Sequence, residues 1–341
     1  LNSATFRIAV AGSDVSYSCE SADTLLRSGL RGGIGLSYEC NAGSCGTCKI
    51  EVLEGEVEDL WPQAPGLSEK DRQRGRRLAC QSVPQSDCTI KSRLADQYIA
   101  RHAPTRQWAR LTDVRSVTHD IGEFTFKTEG AALFQCGQYA MVRLPGTRGP
   151  RAYSMSNTSN SDGVWKFMIR RTPTGAVSNA LFQLPVDSHI ELDGPYGLAY
   201  LREESPRDIV CVAGGSGIAP MVSILDGARD TDSLRKVGAW LFYGGRGPSD
   251  VPAIDTILAS HHLEIGLEWH PVISVPALAE GGNWGGEVGF VHDMLPHKLP
   301  KPLHEYEFYF AGPPPMIEAT VRLLVVGHKV PMTQLHYDRF F

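Results

Sequence analysis

The sequence predicts a multidomain chain. A strand-rich front domain with one short helix comes first, then a small antiparallel β-barrel, then an open parallel α/β sheet. Three observations carry that expectation. A length of 341 residues corresponds to roughly two to three domains. The first hundred residues alternate short strands and turns around a single helical stretch. The last third repeats a buried strand, a glycine turn and a helix, the mark of a parallel sheet covered on both faces.

Each element is justified by its residues. TFRIAVA puts Phe6, Ile8 and Val10 on one face of a half-buried strand. SADTLLRSGLRGG reads as a helix capped near Ser21 or Asp23 and stopped at Gly32–Gly33. KIEVLEGEVEDL reads as a hairpin turning at Glu54–Gly55. RLADQYIARHAPTR is polar and contains proline, which suits a linker. The first domain therefore spans 1–97, with a linker over 98–106. Residues 107–204 are strand-rich, with turns at Pro145–Gly146 and Pro173–Thr174–Gly175, and read as the barrel. Residues 205–341 carry DIVCVAGGSGIAPMVSILDGA, GAWLFYGGR and EFYFAGPPPMIEATVRLLV, three units of the parallel sheet.

Composition narrows the function. Apolar residues make up 42% and charged residues 21%, enough for ordinary cores. A formal net charge of −5 gives no reason to expect nucleic acid as a partner. No apolar run reaches membrane-spanning length and LNSATFRIAV is not a secretory signal, so the expected location is the cytoplasm. The chain starts with Leu, which suggests that a few residues precede it.

Three of the eight cysteines crowd into YECNAGSCGTCK. The spacing is Cys40-x4-Cys45-x2-Cys48, with Cys80 available further on as a fourth ligand. That is the plant-type spacing of a [2Fe–2S] cluster. Zinc usually needs two short C-x2-C knuckles, and only one is present. Zinc and a redox-sensing disulfide stay open as alternatives. Gly43 and Gly46 let the loop wrap tightly and aim backbone N–H groups at the sulfurs. Cys136 and Cys211 read as inert core thiols. The acidic run EVLEGEVED and the basic run RQRGRR flank the site, and either suits solvated surface or a docking face.

Residues 1–97 resemble a plant-type ferredoxin domain of the β-grasp type. The order of features after residue 97 resembles the ferredoxin–NAD(P) reductase family. Together they resemble the reductase component of a bacterial multicomponent oxygenase. ECNAGSCGTCKIEVLEGEVEDLWPQAPGL and the terminal HYDRFF look most like the toluene monooxygenase reductases.

The resemblance implies cofactor residues. Arg151-Ala152-Tyr153-Ser154 matches the R-x-Y-S element that binds FAD. Arg151 would pair with the pyrophosphate, Tyr153 would lie against the isoalloxazine and Ser154 would approach its reactive N5. A guanidinium fork matches phosphate oxygens, and an aromatic face suits a flat heterocycle. Gln138 and Tyr139 match the preceding strand, Ile169 the following one. Gly175, Val177 and Ser178 match G-x-x-S at a helix start. Gly194–Gly197 (GPYG) completes the order. For the nicotinamide, Gly214, Gly215, Ser216 and Gly217 form one turn and Gly312–Pro313 the other, with Arg246 beside the adenosine half. The family has cysteine where this chain has Ala311, which puts the rate of transfer in doubt. Ser274–Val275 offers no cation for a 2′-phosphate, so NADH is the expected coenzyme rather than NADPH. Phe340 and Phe341 stand where relatives place an aromatic over the flavin.

These sites imply an order. NADH gives two electrons together, a cluster accepts one, and FAD can do both. No Glu-x-x-His and no C-x-H occurs, so neither a helical di-iron site nor a Rieske centre is encoded. The expected partner is a Rieske-type ferredoxin or the hydroxylase of a di-iron monooxygenase, met by a monomer. The reductase of a Rieske aromatic-ring dioxygenase is the alternative. A non-enzymatic carrier using only the front domain is a third reading, against which RAYS and GGSGIAP argue.

Overall fold

A computed structural model describes residues 4–147, 149–258, 261, 266–279 and 284–340. It divides into two compact units. The first is Leu1–Arg106 with Asp193–Gly197, and the second is Gln107–Leu192 with Leu198–Phe341.

The first unit is a mixed sheet crossed by one helix. Its elements are β1 (Thr5–Val10), β2 (Ser16–Glu20), α1 (Leu25–Arg31), β3 (Lys49–Glu54), β4 (Val57–Asp59), α2 (Glu69–Gln73), β5 (Arg76–Leu78), β6 (Ser82–Pro84) and β7 (Cys88–Lys91). The sheet order is β2-β1-β7-β3-β5. Strands β1 and β7 run parallel and the other neighbours antiparallel, the β-grasp arrangement. Helix α1 buries Leu25, Leu26 and Leu30, which complete a core with Ile8, Val10, Ile50 and Ile90.

Two local expectations are corrected. The cap of α1 is Thr24, whose hydroxyl accepts from the Arg27 amide at 3.3 Å. Asp23 is instead drawn into ion pairs with Arg31 and, at 3.0 Å, with Arg106. The chain does turn at Gly55, yet β3 and β4 do not form a hairpin. Strand β4 pairs with β6 in a separate two-stranded sheet, while β3 lies between β5 and β7. The turn is pressed against the start of β7, where a side-chain carbon on Gly55 would lie 2.1 Å from the Asp87 carbonyl oxygen. The close approach goes with the pairing of β3 to β7, which leaves β4 to pair with β6.

The second unit begins with six strands: β8 (Thr105–Ser116), β9 (Ile121–Lys127), β10 (Tyr139–Arg143), β11 (Arg151–Ser154), β12 (Val164–Arg170) and β13 (His189–Tyr196). Their order is β11-β10-β13-β8-β9-β12. The pairs β10–β11, β8–β9 and β9–β12 are antiparallel. A bridge from Met155, just past β11, to Phe167 in β12 brings the two ends together as a barrel. Phe124, Phe126, Phe134, Trp165 and Phe167 fill it. Helix α3 (Ala176–Leu181) comes directly after the Gly175 turn.

The α/β sheet comprises β14 (Asp208–Gly214), β15 (Ala239–Gly245), β16 (Leu267–Ile273), β17 (Glu287–Val288), β18 (Tyr306–Gly312) and β19 (Leu335–Arg339). The order is β17-β16-β15-β14-β18-β19, every pair parallel. Helices α4 (Ile218–Asp230) and α5 (Pro314–Val321) rise from the turns after β14 and β18. The central strands are apolar on both faces, as a sheet covered on both sides requires. Strand order reverses at β14, so its carboxyl end and that of β18 form the switch-point crevice.

Candidate cofactor sites

In the first unit the four cysteines fall into two pairs. The thiols of Cys40 and Cys45 share a hydrogen bond, as do those of Cys48 and Cys80. The Ala79 amide donates to the Cys48 carbonyl at 2.9 Å, which ties the Cys80 segment to the loop. Backbone amides point at sulfur: Ala42 and Cys45 at 3.4 Å from Cys40 Sγ, and Thr47 at 3.5 Å from Cys45 Sγ. The loop needs its glycines. Gly43 and Gly46 have φ of +90° and +77°, and a side-chain carbon on Gly46 would lie 2.4 Å from the Gly66 carbonyl oxygen.

This geometry tests the metal. Four sulfurs around one zinc, each about 2.3 Å away, would lie about 3.8 Å apart. Among the described residues no three cysteine sulfurs lie within 4.8 Å of one another. All eight cysteines are free thiols. Two thiol pairs fit two irons, each taking one pair, and fit a single zinc poorly. Each pair also holds one thiol whose deprotonation is favoured, and the thiolate is the form that binds metal. Hydrogen bonding from Cys40 and Thr47 holds Cys45 down to about 6. Cys80 is lowered by Cys48 and by the Arg27 guanidinium. The partners Cys40 and Cys48 are pushed up by those same shared hydrogen bonds and by burial. Burial likewise raises Cys136, to about 12, and Cys211, as suits inert thiols.

The barrel brings the RAYS residues together on β11. Its register with β10 sets Ser154 opposite Tyr139 and Arg151 opposite Val142. Arg151 is exposed and has no carboxylate partner among the described residues; its guanidinium reaches only the Pro150 carbonyl, at 3.1 Å. Ser154 is buried, yet its hydroxyl has no partner among the described residues. Tyr153 is pushed up to about 12 by burial. A cation without a carboxylate, an unpartnered hydroxyl and a half-buried ring on one short strand fit a flavin nucleotide. Gln138 is buried, and its Oε1 accepts from the Gln135 amide at 2.8 Å. Tyr139, Ile169 and Val177 are also buried, the last two in the barrel core, so they face any ligand through their backbone. Ser178 turns its hydroxyl back to the Gly175 carbonyl at 3.1 Å and to Thr172 at 3.1 Å, which shapes the turn. Gly194–Gly197 clusters with the first unit.

The two nucleotide turns interlock. Ala213 in β14 lies beside Ala311 in β18. A side-chain carbon on Gly217 would lie 2.0 Å from the Ala311 carbonyl oxygen, and one on Gly214 would meet Met316 Sδ at 2.9 Å. Tyr243, fully buried at the end of β15, donates to the Gly215 carbonyl at 3.3 Å and to the Asp250 carbonyl at 3.0 Å. The Asp250 carboxylate accepts from the amides of Arg246 and Gly247 at 3.0 and 3.1 Å and lies 3.6 Å from the Arg246 guanidinium. The Ser216 carbonyl accepts from the Ile218 amide, whereas its hydroxyl has no partner among the described residues and so is open to a ligand. The Phe340 amide donates to the Gly312 carbonyl at 2.9 Å, and its ring packs on the core. Phe341 lies outside the described residues.

Sequence reasoning missed the ties between these parts. Asp120, His119 and Asp250 gather with Arg170, whose Nε lies 2.6 Å from Asp120. With Arg170 and Arg246 both beside Asp250, the group is an ion-pair network. Glu123 on β9, Asp226 on α4 and His261 form a buried triad, with His261 nitrogens 3.3 Å from Glu123 and 2.7 Å from Asp226. Its members are 138 residues apart at the extreme, and no local pattern could have joined them.

Comparison with known proteins agrees with the geometry. Residues 8–85 match a 2Fe-2S iron-sulfur cluster binding domain, 108–200 an oxidoreductase FAD-binding domain, and 211–322 an oxidoreductase NAD-binding domain. The chain is thus an oxidoreductase with iron–sulfur, flavin and nicotinamide domains in succession. It is 42% identical to the ferredoxin–NAD(P)(+) reductase CarAd of Metapseudomonas resinovorans, over 95% of this chain and 96% of that one. It is 33% identical to the xylene/toluene monooxygenase electron transfer component of Pseudomonas putida, over 97% and 94%. A solved ferredoxin reductase in carbazole 1,9a-dioxygenase superposes with a TM-score of 0.90 at 38% identity, each chain fully covered. The chain belongs to the family of ferredoxin–NAD(P) reductases that serve as electron-transfer components of oxygenase systems.

Proposed function

We propose that this chain carries electrons from NADH to FAD, on to the [2Fe–2S] cluster, and out to a monooxygenase system, either through a Rieske-type ferredoxin or directly to a di-iron hydroxylase. When bound, FAD takes electrons in pairs and gives them singly, and the cluster takes one. The chain's own residues bind and orient. Arg151 holds the flavin pyrophosphate, and Tyr153 and Ser154 set the ring. Gln138 and Tyr139 support that strand, and Gly175, Val177 and Ser178 present backbone to the second phosphate. Gly214, Gly215, Ser216, Gly217, Gly312 and Pro313 hold the nicotinamide coenzyme, with Arg246 at its adenosine half. Cys40, Cys45, Cys48 and Cys80 hold the cluster. Among the described residues no helix is long and apolar enough to cross a membrane. On this reading the chain is a cytoplasmic monomer that meets its partner transiently.

The observation that carries this reading is the pairing of four thiols in a chain that also carries interlocked nucleotide turns. The likeness to a carbazole dioxygenase reductase favours a second reading, service to a Rieske aromatic-ring dioxygenase. Anaerobic titration with NADH tests the shared part. The chain should take up two electrons at the flavin and one at an EPR-active cluster. A colourless, zinc-loaded protein would overturn it. Reconstitution with a di-iron hydroxylase and with a Rieske oxygenase then separates the two readings by which one turns over.

A further inference from the structure

The loop between β4 and α2 exposes two large apolar side chains in succession. Leu60 is 41% exposed and Trp61 44%. Adjacent exposed leucine and tryptophan are costly to leave in water, and tryptophan is among the side chains that most often anchor protein interfaces. The place matters more than the exposure. The Trp61 ring lies on the cluster loop itself: a side-chain carbon on Gly43 would meet its Cε3 at 3.2 Å. Gly43 sits between Cys40 and Cys45. The Gly66 amide donates to the Gly43 carbonyl at 2.9 Å, so this segment is pinned to the loop at a second point.

The charge that follows the patch in the chain is mainly positive. From Leu60 to Leu78 the chain has five basic side chains and two acidic ones. Asp71 is taken up by Lys49 at 2.8 Å and Arg76 at 2.9 Å. Arg77 pairs with Asp59 at 3.0 Å. Arg72 meets no carboxylate among the described residues. It instead donates to the Pro62 and Ala64 carbonyls, at 3.2 and 2.8 Å, bringing its positive charge to the segment just after Trp61. Lys70 and Arg74, on α2 and its cap, are exposed and likewise without a carboxylate partner among the described residues. Only Glu69 offsets them. An apolar anchor with a cationic rim complements an apolar spot ringed by carboxylates.

We infer that Leu60 and Trp61 with Arg72 form the docking face for the electron-accepting protein, and that this partner presents an acidic surface. The inference rests on the reading of the cluster as electron exit. A partner seated on Trp61 touches the segment packed on the loop between Cys40 and Cys45, which shortens the path from cluster to acceptor. The acidic run over Glu51–Asp59, which sequence alone left equal in standing, is the wrong sign for this role.

The test uses the cofactor-loaded chain and three acceptors: cytochrome b5, which is acidic, cytochrome c, which is basic, and ferricyanide, which needs no docking. Trp61→Ala should weaken cytochrome b5 binding by calorimetry about tenfold and lower its reduction rate in step. Flavin reduction, the cluster EPR signal and ferricyanide reduction should stay as in wild type, and Trp61→Phe should recover most of the loss. Arg72→Glu should slow cytochrome b5, speed cytochrome c and flatten the salt dependence for cytochrome b5. Unchanged cytochrome b5 binding in Trp61→Ala, or an equal loss toward ferricyanide, overturns the docking face. If wild type reduces cytochrome b5 while its cluster never reoxidises, the exit reading fails instead.

Discussion

Gly217→Ala isolates the nucleotide crevice cleanly. Gly217 has φ of −60°, an ordinary helical value, so alanine adds no backbone strain. The only contest is for space. The new methyl would stand 2.0 Å from the Ala311 carbonyl oxygen, whereas real contacts of that kind essentially never fall below 3.0 Å. The two turns must therefore separate by about 1 Å or one must unwind. The oxygen belongs to β18 backbone, paired on both sides by β14 and β19, so it cannot simply swing away. Overpacking of this size costs about 1–3 kcal/mol of stability. A 1 Å displacement of a bound reactant costs on the order of a hundredfold in rate. Stopped-flow bleaching of the flavin by NADH should thus slow by roughly that factor, while FAD stays bound and dithionite still reduces the cluster. Wild-type flavin reduction in a folded Gly217→Ala chain would refute the claim that the interlocked turns set coenzyme position.

Three further outcomes are expected. Arg151→Ala should weaken FAD binding by about 1.5–3 kcal/mol, roughly ten- to a hundredfold, because a charge-assisted contact is lost; equilibrium dialysis of flavin measures it. NADH should exceed NADPH in kcat/KM, and Val275→Arg should narrow the gap by supplying a cation after β16, with both coenzymes assayed by flavin reduction. The buried triad sets a pH window for thermal stability. Burial pushes His261 down, but hydrogen bonds to Asp226 and Glu123 outweigh it and raise it, so its contribution fades as pH rises through that raised value. Burial pushes Glu123 up, yet His261 and Arg115 hold it down to about 2, so its contribution fades only as pH falls toward 2. Melting temperature should therefore drop on the alkaline side, and His261→Gln should remove that limb.

What could be read from sequence was what is local or fixed by spacing. Cys40, Cys45 and Cys48 lie on one loop, and the spacing alone pointed to iron. The strand–glycine–helix units were legible because Gly214–Gly217 and Gly312–Pro313 each close a buried apolar run. What escaped depended on distant partners. The Glu54–Gly55 turn looked like a hairpin because strand periodicity says nothing about which neighbour a strand takes, and here β3 takes β5 and β7 while β4 takes β6. Asp23 looked like a cap because caps are read from residue type, yet Arg31 and Arg106 claim it. Arg170 and Asp250 carried no motif, although their ion pair joins the coenzyme side of the unit to the barrel. Trp61 gave no signal until it was found lying on Gly43.

The central claim is that electrons pass from flavin to cluster and leave from there. Cys45→Ser removes one of the two thiols held below the ordinary thiol value and leaves both nucleotide sites untouched. Rapid mixing with NADH, followed at flavin wavelengths and by reduction of cytochrome c in the same sample, reads both halves at once. Flavin bleaching should persist within about twofold while cytochrome c reduction disappears. Loss of both together, or cytochrome c reduction that survives without the cluster, would contradict the proposed order.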